Sequence, residues 1–513
     1  MLLLATLFLS LASSANLAHQ VHQLPGFPLD LLTSRWFSGF YTVTSTKFLH
    51  YLFIESETNP ATDPVVVFFN GGPGGASIML AFYGLGPLYA DKNESDATFT
   101  LTHFDGSWCK NASLLFLDNP AGVGYSYADT FYDDVHNDNT FQIDALEFMV
   151  QFYEDWPELK RNPLYISGGS YGGIYAPRLA YAIHVHNQEL SLLPNSTLIN
   201  LQGFIIANGA IDYNHDPHVS SLDMLLHYSI IPYALHEQYN ARKCRVQWIW
   251  FYYEYMKKLP HPRCQDMFAK ALEMVDYDIY DLRELNKEPP EQEYQTLKDV
   301  SRDKFRLYGK AMVNGQPKVY KRFVASPMHD LMPASLTNPF SHSRQEHACL
   351  KSMDPSFIDE VHQSYTFTDY INREDVREAL HVPYYVPAYR DTYEGLTYLP
   401  NFEGSAWIYD IFYKYGYKML HLMGDADGIL SMRGFWKWVK TMEWPVTTEW
   451  NPWIYEFEDG STDILGYQKQ WGGKVTLATI HGEGHSGLLT KIFRSKTLVT
   501  NFMFDKHLFE TSQ

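Results

Sequence analysis

Ser170 lies in Gly168-Gly169-Ser170-Tyr171-Gly172-Gly173, directly after the apolar run Leu164-Tyr165-Ile166 and before a helix-compatible stretch from Ile174 to His184. A strand, a G-x-S-x-G turn and a helix make a nucleophile elbow. In it the serine oxygen projects from a tight turn, and glycines two residues to either side let flanking backbone come close. The chemistry such a turn serves is acyl transfer. A serine hydroxyl is a weak nucleophile until a base takes its proton, and the base needs a third group to orient it. Two later stretches offer those groups. Gly424-Asp425-Ala426-Asp427 follows the apolar run from Lys418 to Met423, and His481-Gly482-Glu483-Gly484-His485-Ser486-Gly487 follows the run from Lys474 to Ala478. Asp427 is favoured over Asp425 and His485 over His481, because a Gly-x-x-Asp step and a histidine deep in a glycine-rich loop suit delivery into a shared site. Asp425 otherwise reads as a turn-forming residue and His481 as a polar strand end. A third loop, Gly71-Gly72-Pro73-Gly74-Gly75, follows the run that ends at Phe69. It lacks the spacing and the Gly-Lys-Ser/Thr of a phosphate cradle, and in this position it can turn a backbone N–H toward an oxyanion beside that of Tyr171.

The elements that must hold these loops are short, continuously apolar runs of the fully buried strand type. They are Val65 to Phe69, Ser113 to Leu117, Leu164 to Ile166, Gly203 to Ala207, Lys418 to Met423 and Lys474 to Ala478, preceded by strands near Thr42-Val43 and Leu49 to Ile54. Helix-length amphipathic segments such as Gln142 to Tyr153 lie between several of them, so the expected fold class is α/β with a mostly parallel central sheet. The order Ser, Asp, His along the chain is that of an α/β-hydrolase. From about Asn214 the buried-strand runs stop, and aromatic and charged residues take over, as in Trp248-Ile249-Trp250-Phe251-Tyr252-Tyr253. The segment 214–365 therefore reads as a mainly helical cap inserted between core segments 19–213 and 366–513. The aromatic stripe is core material first, although insertions over a sheet edge also form lids.

Of 513 residues 45% are hydrophobic and 19% charged, which describes a packed globular chain, and the net charge of −19 argues against nucleic acid as a partner. An apolar run from Leu2 to Ala12 ends in Ser13-Ser14-Ala15 with Ala18 beyond, so residues 1–18 read as a signal peptide, too short to span a bilayer. No later run suits a transmembrane anchor. Export makes the sequons at Asn93, Asn111 and Asn195 expected glycosylation sites, and makes the even set Cys109, Cys244, Cys264 and Cys349 read as up to two disulfides rather than a metal or redox site.

The motifs, taken together, resemble the serine carboxypeptidases. Phe68-Phe69-Asn70-Gly71-Gly72-Pro73-Gly74 is similar to that family's W-L-N-G-G-P-G block, Asp118-Asn119-Pro120-Ala121-Gly122-Val123-Gly124-Tyr125-Ser126-Tyr127 to its D-x-P-A-G-V-G-F-S-Y, and Gly168 to Pro177 to its G-E-S-Y-A-G-x-Y-x-P. Ala207-Asn208-Gly209, Tyr370 to His381 and Gly482 to His485 match in order. The resemblance implies a secreted or lysosomal enzyme with triad Ser170, Asp427 and His485 and oxyanion donors Gly72 and Tyr171. It also implies a pocket for a peptide's C-terminal carboxylate, no metal and no cofactor, a peptide or protein substrate, and a homodimer as the one assembly left open. The cysteines depart from the family: its G-P-G-C cysteine is Gly75 here and that cysteine's usual partner corresponds to about Cys349, so we expect Cys349 to pair instead with the extra Cys109, and Cys244 to bridge Cys264 within the cap.

Two departures bear on the substrate. In the family a glutamate precedes the nucleophile and a second precedes the L-G-P after the glycine-rich loop, and together they hold the substrate carboxylate through shared protons. Here those positions are Gly169 and Gly84, so of that group only Asn70 and the backbone of Gly71 remain as substrate-binding residues. Three readings follow: a serine carboxypeptidase; an esterase, amidase or acyltransferase without C-terminal carboxylate recognition; or a non-catalytic binding or protective homologue.

Overall fold

The computed structural model describes residues 17–27, 34–92, 99–130, 135–216, 218–244, 262–275, 277–278, 281–285, 367–390, 397–401, 403–456, 462–490 and 492–506. The signal-peptide run, Asn93, the aromatic stripe 248–253 and Cys349 lie outside them. Eleven strands in line form the main sheet: β1 (Gln20–Val21), β2 (Trp36–Thr42), β3 (Lys47–Ile54), β4 (Val65–Phe69), β5 (Ser113–Leu117), β6 (Leu164–Gly169), β7 (Leu201–Ala207), β8 (Lys418–Gly424), β9 (Val446–Glu456), β10 (Thr462–Trp471) and β11 (Val475–Ile480). Their spatial order is β1-β2-β3-β5-β4-β6-β7-β8-β11-β10-β9, and a short strand, Tyr127–Ala128, pairs alongside β3.

From β5 through β4, β6, β7 and β8 to β11 every pairing is parallel. The flanking strands on both sides are antiparallel. The parallel strands are buried on both faces, as their continuous Val, Ile, Leu and Phe content requires. The helices that cover the sheet are α1 (Asp138–Asp155), α2 (Gly172–Leu190), α6 (Ala406–Tyr415), α7 (Met432–Val439) and α8 (Ile492–Met503). Aromatic contacts fix them: Phe141 of α1 stacks on Tyr175 of α2 at 3.9 Å, and Tyr409 of α6 meets Phe204 of β7 at 4.9 Å.

Between β7 and β8 the chain forms α3 (His218–His227), α4 (Tyr233–Ala241), α5 (Pro262–Glu273) and an antiparallel pair of strands, Tyr277–Asp278 with Asp281–Leu285. These pieces share a small core of their own around Leu225, Tyr239, Phe268 and Ala271. The disulfide Cys244–Cys264 closes α4 onto α5. Asp223 of α3 pairs with Lys437 of α7, and Ser220 meets Ser431 at 3.0 Å, which docks this unit on the main body. The expected second bridge is not formed at its Cys109 end, because Cys109 is a buried free thiol. It sits in the one-turn helix Trp108–Lys110, walled in by the core, and burial pushes its thiol well above the usual range.

Two buried titratable groups change the stability of the fold in opposite directions as the pH falls. His421 of β8 lies between Tyr409 of α6 and Phe435 of α7, with ring centroids 5.5 and 4.7 Å away, and burial pulls its pKa from 6.5 to about 3. Because the folded value is depressed, the stability it supplies is present above pH 6.5 and is lost as the pH falls toward 3. Asp216, which accepts the N–H groups of Ile211 and Asp212, is pushed by burial from 3.8 to about 7. Its contribution runs the other way, and the fold gains as the pH falls from 7 to 3.8. With these slopes opposed, His421→Phe is expected to gain melting temperature relative to the unaltered protein between pH 6.5 and pH 4. Equal shifts at both pH values would remove His421 from this role.

Candidate active site

The carboxyl ends of β4, β6, β7, β8 and β11 meet in one place, and each supplies a loop. Ser170 follows β6 with φ of 57°, the left-handed turn expected of an elbow. Its N–H donates to Ala207 O at 3.0 Å, and its carbonyl accepts from Gly173 and Ala210, both at 3.0 Å. A β-carbon on Gly168 would lie 2.7 Å from Gly172 O, and one on Gly172 2.9 Å from Phe69 O, so the glycines of the motif are there for close approach.

Asp427, fully buried, accepts four hydrogen bonds. Oδ2 receives His485 Nδ1 at 2.7 Å and Asn208 Nδ2 at 2.8 Å, while Oδ1 receives the N–H groups of Ile429 at 2.8 Å and Leu430 at 3.1 Å. The carboxylate is thereby locked in one orientation, and with it the imidazole. With Nδ1 engaged, Nε2 is the nitrogen that exchanges a proton in triad chemistry.

The alternatives Asp425 and His481 are joined to each other. His481 Nδ1 meets Asp425 Oδ2 at 2.6 Å, and Gly482 N donates to Asp425 Oδ1 at 2.8 Å. The His481 side chain is 65% exposed against 4% for His485. The chain thus makes two Asp–His pairs from the same two loops, one on the surface and one in the interior.

Gly71 carries the glycine-rich loop against the elbow: a β-carbon there would lie 2.5 Å from Ser170 Cβ and 2.9 Å from Tyr171 N. The loop is tied down by Asp118, whose Oδ1 accepts from Ser77 N at 2.7 Å and Ile78 N at 3.1 Å, and by Gly75 N to Gly71 O at 2.9 Å. Asn70 turns inward, with Oδ1 accepting Gly71 N at 2.8 Å and Nδ2 donating to Ala76 O at 3.0 Å. Both groups left for a substrate carboxylate are therefore engaged within the loop.

Two residues without a role in the sequence reading matter here. Asn208, at φ of 39° after β7, bridges Asp427 and Gly424 N, and its only sequence signal is its place in the Ala207-Asn208-Gly209 block. Asp138, the first residue of α1, accepts Tyr171 Oη and Tyr398 Oη, each at 2.8 Å. Burial raises its pKa above the ordinary carboxylate value, while Arg178 and the donors pull it down.

A serine on a left-handed turn after a parallel strand, with an Asp-backed histidine delivered from the next strands, defines an α/β-hydrolase. The prohormone-processing carboxypeptidase Kex1Δp of Saccharomyces cerevisiae superposes on this fold with a TM-score of 0.67 at 16% identity, covering 96% of each chain. The serine carboxypeptidase family matches residues 25–505, and the chain belongs to that family. Among its relatives are serine carboxypeptidase-like 20 of Arabidopsis thaliana and serine carboxypeptidase 1 of Hordeum vulgare. The first is 27% identical over 94% of this chain and 92% of its own length, the second 26% identical over 91% and 89%.

Proposed function

We propose that this protein is an exported serine carboxypeptidase working through an acyl-enzyme. Ser170 attacks the acyl carbon, His485 takes the serine proton and passes it to the leaving amine, and Asp427 orients His485. The N–H groups of Gly72 and Tyr171 stabilise the oxyanion, and water activated by His485 then releases the acyl group. The observation that carries the reading is the interior Asp427–His485 pair, because a buried carboxylate held by three further donors fixes the imidazole in the orientation and tautomer that a general base needs. Export is supported by the N-terminal run, by the Cys244–Cys264 bridge and by Asn195, which is exposed in a turn, whereas Asn111 is half-buried.

Glycines at positions 84 and 169, with Asn70 turned inward, favour a second reading in which the same centre acts on an ester, amide or acyl-transfer substrate without gripping a C-terminal carboxylate. Two measurements separate the possibilities. A fluorophosphonate is expected to label the purified protein at Ser170, and a protein that resists it is a non-catalytic homologue. A free-acid peptide is expected to be trimmed faster than its C-terminal amide, and equal rates would replace the carboxypeptidase by the second reading.

A further inference from the structure

We propose that Asp138 is a positioning residue for Tyr171: by holding the Tyr171 hydroxyl it fixes the direction of the backbone N–H that faces the oxyanion. The inference rests on the serine-hydrolase reading of Ser170. Tyr171 is the residue immediately after the nucleophile, at φ of −61° and ψ of −17°, and it enters α2 without a side-chain cap of its own. Its ring is buried, and the far end donates to Asp138 Oδ1 at 2.8 Å. A side chain pinned at its tip and packed along its length leaves the attached peptide little freedom to rotate. That freedom is what an oxyanion donor must not have, since hydrogen bonds weaken steeply with misalignment.

Asp138 is itself held from several directions. Asn137 and Thr140 form a capping box around it at the start of α1, where the helix N-terminus favours a carboxylate. Tyr398 Oη shares Oδ1 at 2.8 Å, Asn401 N donates to Oδ2 at 2.7 Å, and the buried Arg178 guanidinium lies 3.9 Å from Oδ2. Tyr213 Oη adds a contact to Tyr171 Oη at 3.4 Å. One carboxylate therefore joins the elbow to the start of α1 and to segment 397–401, three pieces of chain far apart in sequence. Tyrosine rather than phenylalanine after the nucleophile is explained by this link.

The test compares Tyr171→Phe, which keeps the ring and the N–H, with Asp138→Asn and the double variant. The readouts are kcat and KM on a peptide or ester substrate and the rate of fluorophosphonate labelling. Each single variant is expected to lose about tenfold in kcat, with KM within about twofold, and the double variant to be no worse than either alone, as for residues acting as one unit. Asp144→Asn, which breaks the buried Lys47–Asp144 pair at 2.9 Å on the same helix, provides the comparison for general destabilisation. It is expected to lower the melting temperature and leave kcat unchanged. Unchanged kcat in Tyr171→Phe overturns the proposal, as does a kcat loss in Asp144→Asn that matches its loss of stability. An unaltered protein that fails to label overturns the serine-hydrolase reading itself, a result distinct from either.

Discussion

Alanine in place of His485 is expected to cut turnover by about a millionfold and Asp427→Asn by about ten-thousandfold, while His481→Ala stays within about twofold of the unaltered protein. The contrast is the point of the experiment, because the two histidines sit four residues apart in one loop and each binds an aspartate from one other loop at nearly the same distance, 2.7 and 2.6 Å. What separates them is their surroundings. The His485–Asp427 pair is buried, so its charge interaction is not screened, and Asn208 with two backbone donors gives the carboxylate one orientation. The His481–Asp425 pair faces solvent, where such a pair contributes little. Asparagine at 427 keeps the shape but can present an amide to Nδ1, which reverses the tautomer and leaves no base at Nε2. Asn208→Ala removes one orienting bond and belongs between these extremes. Equal losses at 481 and 485, measured as kcat on one substrate, would mean that the surface pair is the one that works.

The buried parallel strands were legible because a strand covered on both faces can only be continuously apolar. Ser113–Leu117 is the run as read, and Leu164–Ile166 extends through the elbow glycines to Gly169 because those residues still pair with β7. The hairpin of β9 and β10 was not legible. Pro452 in mid-strand argues against a strand, and interruptions in the register with β10 break the period-two pattern. β9 is the last strand of the described sheet, the kind of position to which a strand proline is confined. At the site, the glycine spacing and the order of the loops pointed to Asp427 and His485, and the structure joins these two in a buried pair. Asp138 could not be found that way, since its partners Tyr171 and Tyr398 lie 33 and 260 residues along the chain and a single aspartate at a helix start reads as an ordinary cap. Cys109 shows the opposite failure: an even set of cysteines reads as a set of bridges, yet Cys109 is a buried free thiol.

Glutamate is expected to be accepted at position 169 and rejected at position 84, although the resemblance treats the two glycines as one paired change. A β-carbon on Gly169 would meet only Ala207 O, at 3.8 Å, and the residue ends an extended strand beside Ser170, so a side chain can project there without strain. Gly84 has φ of 108°, and a β-carbon would lie 3.1 Å from Tyr89 Oη and 3.6 Å from an Ile492 side-chain carbon. Forcing an L-residue into that backbone and burying a carboxylate beside Tyr89 together cost about 3 kcal/mol or more. Gly84→Glu should therefore melt well below the unaltered protein, whereas Gly169→Glu should melt close to it. The functional consequence belongs to position 169 alone. A glutamate there can hold a substrate carboxylate only while it is protonated, and the substrate's own charge raises its pKa. Cleavage of a free-acid peptide by Gly169→Glu is thus expected to rise relative to the amide as the pH falls, and to lose that advantage as the pH rises through the raised value. A Gly84→Glu protein with an unchanged melting temperature would show that the backbone after the glycine-rich loop adapts. Position 84 would then be a simple truncation of a family side chain, and not a site where the chain has taken a conformation that strains a glutamate.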